Sequence, residues 1–313
     1  MRQSVQTEIL LHLLNSLTLS TRQQTMLMEP SKNFFITGAT GNQGGAAANY
    51  LLQKGYGVTA LVRNPDSAKS KALKEKGATV IKGDLNDATI YKVHLQNVAG
   101  VFAVLTFVNG TDKEIKQGIA LADAAKEYSV PHFVYSSVIG SDAHTGIPHW
   151  ESKFIIENHI KNTGLGYTIL RPSSFYENFL IPQVKNRILK GKLVTPTNKD
   201  KVQQFISVED VGRIAALILE NPEPYKSKTM VLAAGEMNMQ QVADIFSEVM
   251  GRKITYGTLP PFLTRLFLGK DLYKMFNWIN NNNAIFLKDL QGFKNQFPGL
   301  LDLKTWVRQK FVS

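Results

Sequence analysis

Phe34-Phe35-Ile36-Thr37-Gly38-Ala39-Thr40-Gly41-Asn42-Gln43-Gly44-Gly45 is the stretch that decides the fold. An apolar run enters a glycine-spaced turn, and Ala46 to Leu52 continue with helical composition, which predicts strand, tight turn and helix. Such a turn aims backbone N–H groups and the positive end of a helix dipole at one point, where a phosphate is favoured. Gly38, Gly41 and Gly44 divide the work: one permits the turn, one admits a pyrophosphate close to backbone, and one lets the helix lie close to the strand. Thr40, Asn42 and Gln43 complete the expected cradle. Glycines three apart differ from the commoner G-x-G-x-x-G, and a plain strand-to-helix turn is the alternative, so the surrounding pattern has to decide.

That pattern is an α/β one. Val58 to Val62 reads as a second strand, Ser67 to Lys76 as a charged helix and Thr79 to Ile81 as the start of a third strand. Val101 to Leu105 is an apolar strand, Glu114 to Tyr128 a helix, and His132 to Tyr135 another strand. Short apolar runs alternating with longer amphipathic segments imply right-handed βαβ units, hence a Rossmann-type doubly wound parallel sheet with ligands beyond the carboxyl ends of its strands. After Arg171-Pro172 the rhythm loosens. Phe175 to Leu189 and Val208 to Leu219 read as helices, Gln204 to Ser207 and Thr229 to Leu232 as strands. Ile254 to Tyr256 and helices rich in Leu, Phe and Trp then suggest a smaller α+β C-terminal lobe, and Asn280 to Asn283 a loop. The expected organisation is a dinucleotide-binding domain over 31–172 and, over 173–313, mainly a substrate or partner lobe with some strands returning to the sheet.

At 313 residues the chain can bury a sizeable core, as one large domain or two. It has no cysteine, which excludes disulfides, thiolate metal sites, cysteine nucleophiles and thiol redox switching. A sensing role would therefore have to work through a ligand. His12, His94, His132, His144 and His159 show no metal-ligand spacing, and no metal is expected. Glu151 and Glu157 form no recognisable acid pair. The formal charge of +11 suits an anionic ligand. Its densest basic region, Lys185, Arg187, Lys190, Lys192, Lys199 and Lys201, lacks a nucleic-acid recognition motif or interleaved aromatics, and reads as solvated surface.

Residues 1–30 stand apart, and a mobile tail without chemistry is expected there. Ile9, Leu10, Leu11, Leu13, Leu14 and Leu17 suit one short amphipathic helix, too short to span a membrane. Arg2 and Arg22 against Glu8 leave an organellar presequence open, and Met26 and Met28 leave an upstream extension of the start equally open. The expected location is the cytoplasm, with nuclear entry or organellar targeting as alternatives.

Seven further residues carry chemistry. Arg63 ends the second strand, 22 residues after Gly41, where an NAD-preferring fold carries Asp or Glu for the ribose hydroxyls. An arginine there suits the 2′-phosphate of NADP through charge-assisted contacts; the plain alternative is a surface arginine before an Asn-Pro turn. Asp84, after the third strand, either accepts from an adenine amino group or caps a helix, and Leu85 would pack on the adenine ring. Ser136-Ser137 ends the fifth strand, with Ser137 twelve residues before His149. His149 and Lys153 are four apart and share a helical face, the arrangement of the Tyr-x-x-x-Lys pair of short-chain dehydrogenases with histidine in place of tyrosine.

Together the Gly38–Gly44 turn, Arg63-Asn64-Pro65, Gly83-Asp84-Leu85, His149/Lys153 and Leu170 to Phe179 resemble the NmrA-like family of atypical short-chain dehydrogenases. Ser207 to Gly212 and Leu303 to Trp306 are similar as well. The resemblance runs from about Phe34 to the C-terminus and sits nearest the family's redox-sensor branch. It implies NADP(H) as cofactor, with Ser136, Thr106 and Phe107 on the nicotinamide side and Lys153 holding the nicotinamide ribose. Carbonyl reduction needs an acid for the developing alkoxide, and tyrosine supplies a phenol of pKa about 10 lowered by its lysine. Histidine starts near 6.5 and is biased neutral by Lys153, so His149 would donate a proton less effectively. Two functions follow. One is a sensor of the NADPH/NADP+ ratio with weak or no dehydrogenase activity, acting on a protein partner. The other is an NADPH-dependent reductase of quinone, azo or related small molecules, with Lys153 and His149 handling protons.

Overall fold

The computed structural model describes residues 32–312, and the expectations for the N-terminal tail lie outside them. From Asn33 onward the chain forms one compact unit. Its centre is a seven-stranded sheet in which every neighbouring pair is parallel. Strands β1 (Asn33–Ile36), β2 (Gly57–Val62), β3 (Thr79–Lys82), β4 (Gly100–Val104), β5 (Phe133–Ser136) and β6 (Tyr167–Pro172) take the order β6-β5-β4-β1-β2-β3. Strand order reverses between β1 and β4, the switch point at which such sheets bind ligands.

Side chains alternate across the sheet, and both faces are covered, so the strands read as nearly continuous apolar runs. Phe34, Ile36, Val58, Ala60, Phe102 and Val134 pack with helix α1 (Asn42–Gln53) on one face. Phe35, Leu61, Val101, Ala103, Phe133 and Tyr135 face the opposite way. Against them lie α4 (Thr111–Glu127) and α5 (Pro148–Asn162); α2 (Ala68–Glu75) and α3 (Ala88–Tyr91) precede these in the chain.

Beyond β6 come β7 (Ser174–Phe175), a 3₁₀ turn at Tyr176–Leu180, α6 (Pro182–Ile188), β8 (Lys192–Thr195), β9 (Val202–Ile206) and α7 (Val208–Glu220). The expected helix over Phe175 to Leu189 is therefore replaced by strand, 3₁₀ turn and a short helix. Pro182 is the reason: it lacks an N–H and crowds the preceding turn, so it starts a helix, and Ile181 before it is extended at φ −54, ψ 127. α7 joins the α1 side of the sheet, and β10 (Lys228–Leu232) returns to pair with β6. A Cβ at Gly212 of α7 would come within 2.4 Å of the Ala46 Cβ, so glycine permits this close helix contact.

β11 (Gly235–Asn238), α8 (Met239–Met250), β12 (Thr255–Thr258), α9 (Pro261–Asn281), α10 (Leu290–Gln296) and α11 (Leu303–Val307) complete the chain. Asn280 and Asn281 belong to α9 rather than to a loop. Asn281 and Asn282 donate from their side-chain amides to the carbonyls of Asn277 and Trp278, 2.8 and 2.9 Å away, and Asn280 donates to the Pro196 carbonyl. A separate core of Tyr176, Phe179, Phe205, Phe246 and Trp306 holds this region together. Glu177 ties its sequence motifs: it accepts from the Trp306 indole N–H and from the Val208 N–H, both at 3.0 Å. Burial pushes the Glu177 carboxyl above its usual range. The Leu170–Phe179, Ser207–Gly212 and Leu303–Trp306 segments thus meet at one side chain, and their shared work is structural. Among the described residues no helix is long and apolar enough to cross a membrane.

Candidate functional site

The glycine turn joins β1 to α1 as its spacing predicts. Gly38 takes φ +63, and a Cβ at Gly44 would come within 2.5 Å of the Gly38 carbonyl oxygen. No side chain larger than hydrogen fits there. The N-cap of α1 is Gly41, with no side-chain cap and no acidic residue in the first turn. Most helix starts receive an oxygen from Ser, Thr, Asp or Asn; this one leaves its amide dipoles for an outside acceptor. Beside it a cavity of about 330 Å³ is lined by Thr40, Gly41, Asn42, Asn49, Lys69 and Lys76, among others. The turn, the uncapped helix and two lysines fit the diphosphate of a dinucleotide.

The other expected cofactor residues lie along the carboxyl edge of the same sheet. Val62 and Lys82 are register partners, and the Gly83 N–H bonds the Val62 carbonyl at 2.9 Å, so exposed Arg63 and half-buried Asp84 follow neighbouring strand ends. Asp84 does not cap the helix that follows. It folds its own loop by accepting from the Asn86 N–H at 2.9 Å, while Asp87 caps α3 through Thr89. Leu85 is half-buried against the α4/α5-side core. Ser136 is register partner to Val104, and its hydroxyl donates to Gln43 Oε1 at 2.6 Å, clamping the end of β5 to the start of α1. Thr106 caps the 3₁₀ turn Phe107–Asn109.

His149 and Lys153 come together on the first turns of α5, but each is already engaged. Phe107 stacks on the His149 ring at 4.5 Å between centroids. His149 Nδ1 lies 2.6 Å from Asp271 Oδ1 on α9. Burial lowers the imidazole pKa below its usual value, Asp271 raises it in partial compensation and Lys153 lowers it again. At neutral pH the ring is therefore neutral, its Nδ1–H donating to Asp271 and its Nε2 left as a lone-pair acceptor. A ring in this tautomer is a base, and it lacks the Nε2 proton that a carbonyl reduction would draw on.

Lys153 donates to Glu114 Oε1 at 2.8 Å, and the Ser152 hydroxyl donates to Glu114 Oε2 at 2.7 Å. The lysine side chain is 9 % exposed and the glutamate fully buried. The Lys153 ammonium also sits 5.8 Å from the Tyr135 ring centroid. Burial, then the Glu114 and Glu157 charges, push the Tyr135 phenol well above its usual pKa. Ser137, at the dehydrogenase serine position, turns elsewhere. It donates to Glu157 Oε1 at 2.5 Å, and Glu157 accepts both Arg171 Nε and a terminal Arg171 nitrogen at 2.9 and 2.6 Å.

Glu114 and Asp271 carry no expectation from the sequence, and Glu157, which forms no acid pair with Glu151, instead serves Ser137 and Arg171. Glu114 heads the buried stripe Gly118-Leu121-Ala122-Ala125 of α4, and Glu157 falls on the stripe His149-Lys153-Ile156-Ile160 of α5. A charge inside an apolar stripe is a legible signal. Asp271, 122 residues from His149, has no local signal.

An α/β dinucleotide fold with a glycine cradle and a His/Lys pair at the far end of the sheet edge defines an atypical dehydrogenase-like protein. Residues 30–294 match the model of the NmrA-like family, and the chain belongs to that family. It is 28% identical to photosystem II assembly factor Ycf39 of Trieres chinensis over 85% of this chain and 83% of that protein. It is 28% identical to an NAD(P)H azoreductase of Xenophilus azovorans over 71% of this chain and 75% of the relative. Among solved structures, the negative transcriptional regulator NmrA in complex with NADP superposes with a TM-score of 0.76. At 20% identity over 91% of this chain and 96% of NmrA, that likeness speaks for the fold.

Proposed function

We propose that the protein binds NADP(H) and senses the NADPH/NADP+ ratio, with weak or no dehydrogenase activity. The glycine cradle takes the diphosphate, Arg63 the 2′-phosphate, and Lys153 the nicotinamide ribose. Solved relatives crystallised with NADP or NADP(H) support the cofactor. The nicotinamide supplies hydride chemistry when bound, and its oxidised form carries one more positive charge than its reduced form. The observation that carries the sensor reading is the 2.6 Å bond from His149 to Asp271. It commits the one ring in the acid position to a carboxylate on α9, and so couples charge at the sheet edge to a surface helix. A ligand shifts such an equilibrium only by its difference in affinity for the two states, with each tenfold preference worth about 1.4 kcal/mol. Hydrogen exchange across 261–281 should therefore differ between the NADP+ and NADPH complexes. Identical protection in both would overturn the sensor reading.

The second reading, an NADPH-dependent reductase, is favoured by the 28% identity to the NAD(P)H azoreductase of Xenophilus azovorans. Lys153→Ala would then lower turnover much more than cofactor affinity. If turnover survived that change, Lys153 would be a ribose clamp only.

A further inference from the structure

The cavity beneath α9 measures about 700 Å³, within the range of sites that bury a drug-sized ligand. Its walls include Phe179, Phe205, Met239, Leu272, Met275 and Phe276. Helical spacing separates it from the His149 side of α9. Leu272, Met275 and Ile279 form one stripe facing the cavity. Asp271, Lys274 and Trp278, which meet His149, the Gly146 carbonyl and Trp150, form another. The cavity and the His/Lys pair thus flank the same helix without sharing a surface of it.

Polar side chains interrupt the apolar wall, Asn178, Gln183 and Thr195 among them, and two of them bear on what the cavity holds. Among the described lining residues Arg187 is the one charged side chain, and it is exposed. Gln203 is buried, and among the described residues its amide makes only long contacts: Nε2 to Thr197 Oγ1 at 3.3 Å and to Met239 Sδ at 3.7 Å, and Oε1 from Ser174 Oγ at 3.5 Å. Contacts at that limit leave the amide able to bond an incoming group. The first half of α9 adds a third feature. Gly269, at φ 79 and ψ 177, breaks the helix after Leu268. Ahead of the break Phe262, Leu266 and Phe267 are 70, 72 and 68% exposed, and Phe267 and Leu268 line the cavity. Large apolar side chains grouped on a surface mark a binding place.

We propose that this cavity binds a lipophilic anion: a long apolar body beneath α9, a polar atom or unsaturation near the Gln203 amide, and an acidic head paired with Arg187. The ligand would cover Phe267 and Leu268, turning the segment before Gly269 into a lid. This assignment goes beyond the cofactor reading and stands without it, because none of the residues it uses belongs to the glycine cradle or the His/Lys pair.

The test is a fluorescence titration of the full chain with cis-parinaric acid and, in parallel, its methyl ester. Saturable binding of one acid per chain is expected. Leu272→Trp and Met275→Trp, each filling the cavity, should weaken binding of acid and ester at least tenfold. Arg187→Glu should weaken the acid about tenfold and leave the ester unchanged. Phe262→Ser with Leu266→Ser, side chains outside the cavity, should leave both probes unchanged. Thermal melts and NADP+ titration of each variant separate lost folding from a filled cavity. The proposal is overturned by the absence of saturable binding to the parent chain, or by undiminished binding to folded variants with either tryptophan. Equal effects of Arg187→Glu on acid and ester would remove the anionic head. Loss of binding only in the Phe262/Leu266 variant would place the probe on the outer surface and sink the cavity assignment.

Discussion

Replacing Glu114 by glutamine should be among the most damaging single-atom-scale changes in the protein. The substitution keeps the size of the side chain and an oxygen able to accept from Ser152, but removes the charge that faces the Lys153 ammonium at 2.8 Å. With the lysine side chain 9 % exposed and the glutamate fully buried, water cannot replace that charge. Breaking a buried pair from one side costs about 3–5 kcal/mol, against about 0–1 kcal/mol for an exposed pair. Glu114→Gln and Lys153→Met should therefore each lose about 3 kcal/mol in urea unfolding followed by circular dichroism at pH 7 without cofactor. The double variant, in which no charge is left alone, should lose less than the two singles together, giving a coupling of about 2–3 kcal/mol. A Glu114→Gln loss below about 1 kcal/mol, or strict additivity in the cycle, would refute the claim that Glu114 anchors Lys153.

Two other outcomes are expected. Arg63→Asp should weaken NADP+ binding about 10- to 100-fold, the loss of a charge-assisted contact, while leaving NAD+ binding within a few-fold; equal losses in a calorimetric comparison would remove Arg63 from the 2′-phosphate. Acid should destabilise the fold through His132, which is buried with Nε2 2.8 Å from Thr168 Oγ1. Burial first, then Lys226, lower its pKa to about 4 from 6.5. The unfolded chain binds more protons between those values, so the contribution is present above about pH 6.5 and lost as pH falls through about 4, at about 3 kcal/mol in total. His132→Gln should flatten that part of the stability curve, and a parallel curve would contradict it.

The first half of the fold was legible because its signals are local. β1, β2 and β4 are apolar runs closed by turns, and the glycines of the first turn are required by contacts as short as 2.5 Å. The segment after Phe175 departs from the expected continuous helix because Pro182, lacking an N–H, can start a helix but not sit inside one. In the site, the His149/Lys153 spacing was visible, but the partners that decide its chemistry were not. Glu114 was readable as a charge within a buried stripe, whereas Asp271 reaches His149 only through the packing of α9. Ser137 sat at the expected distance along the chain, yet its hydroxyl serves Glu157 and Arg171. Spacing locates a side chain on an element; which neighbour takes its proton depends on tertiary packing.

Calorimetric titration of NADP+ and NADPH into the purified chain, beside the Gly44→Ala variant, tests the central claim most directly. One nucleotide should bind per chain in the parent, and binding should vanish in a Gly44→Ala protein that still unfolds cooperatively, because the added methyl would strike the Gly38 carbonyl at 2.5 Å. Absence of binding to the parent, or unchanged binding in the folded variant, would contradict the placement of a dinucleotide in the turn after β1.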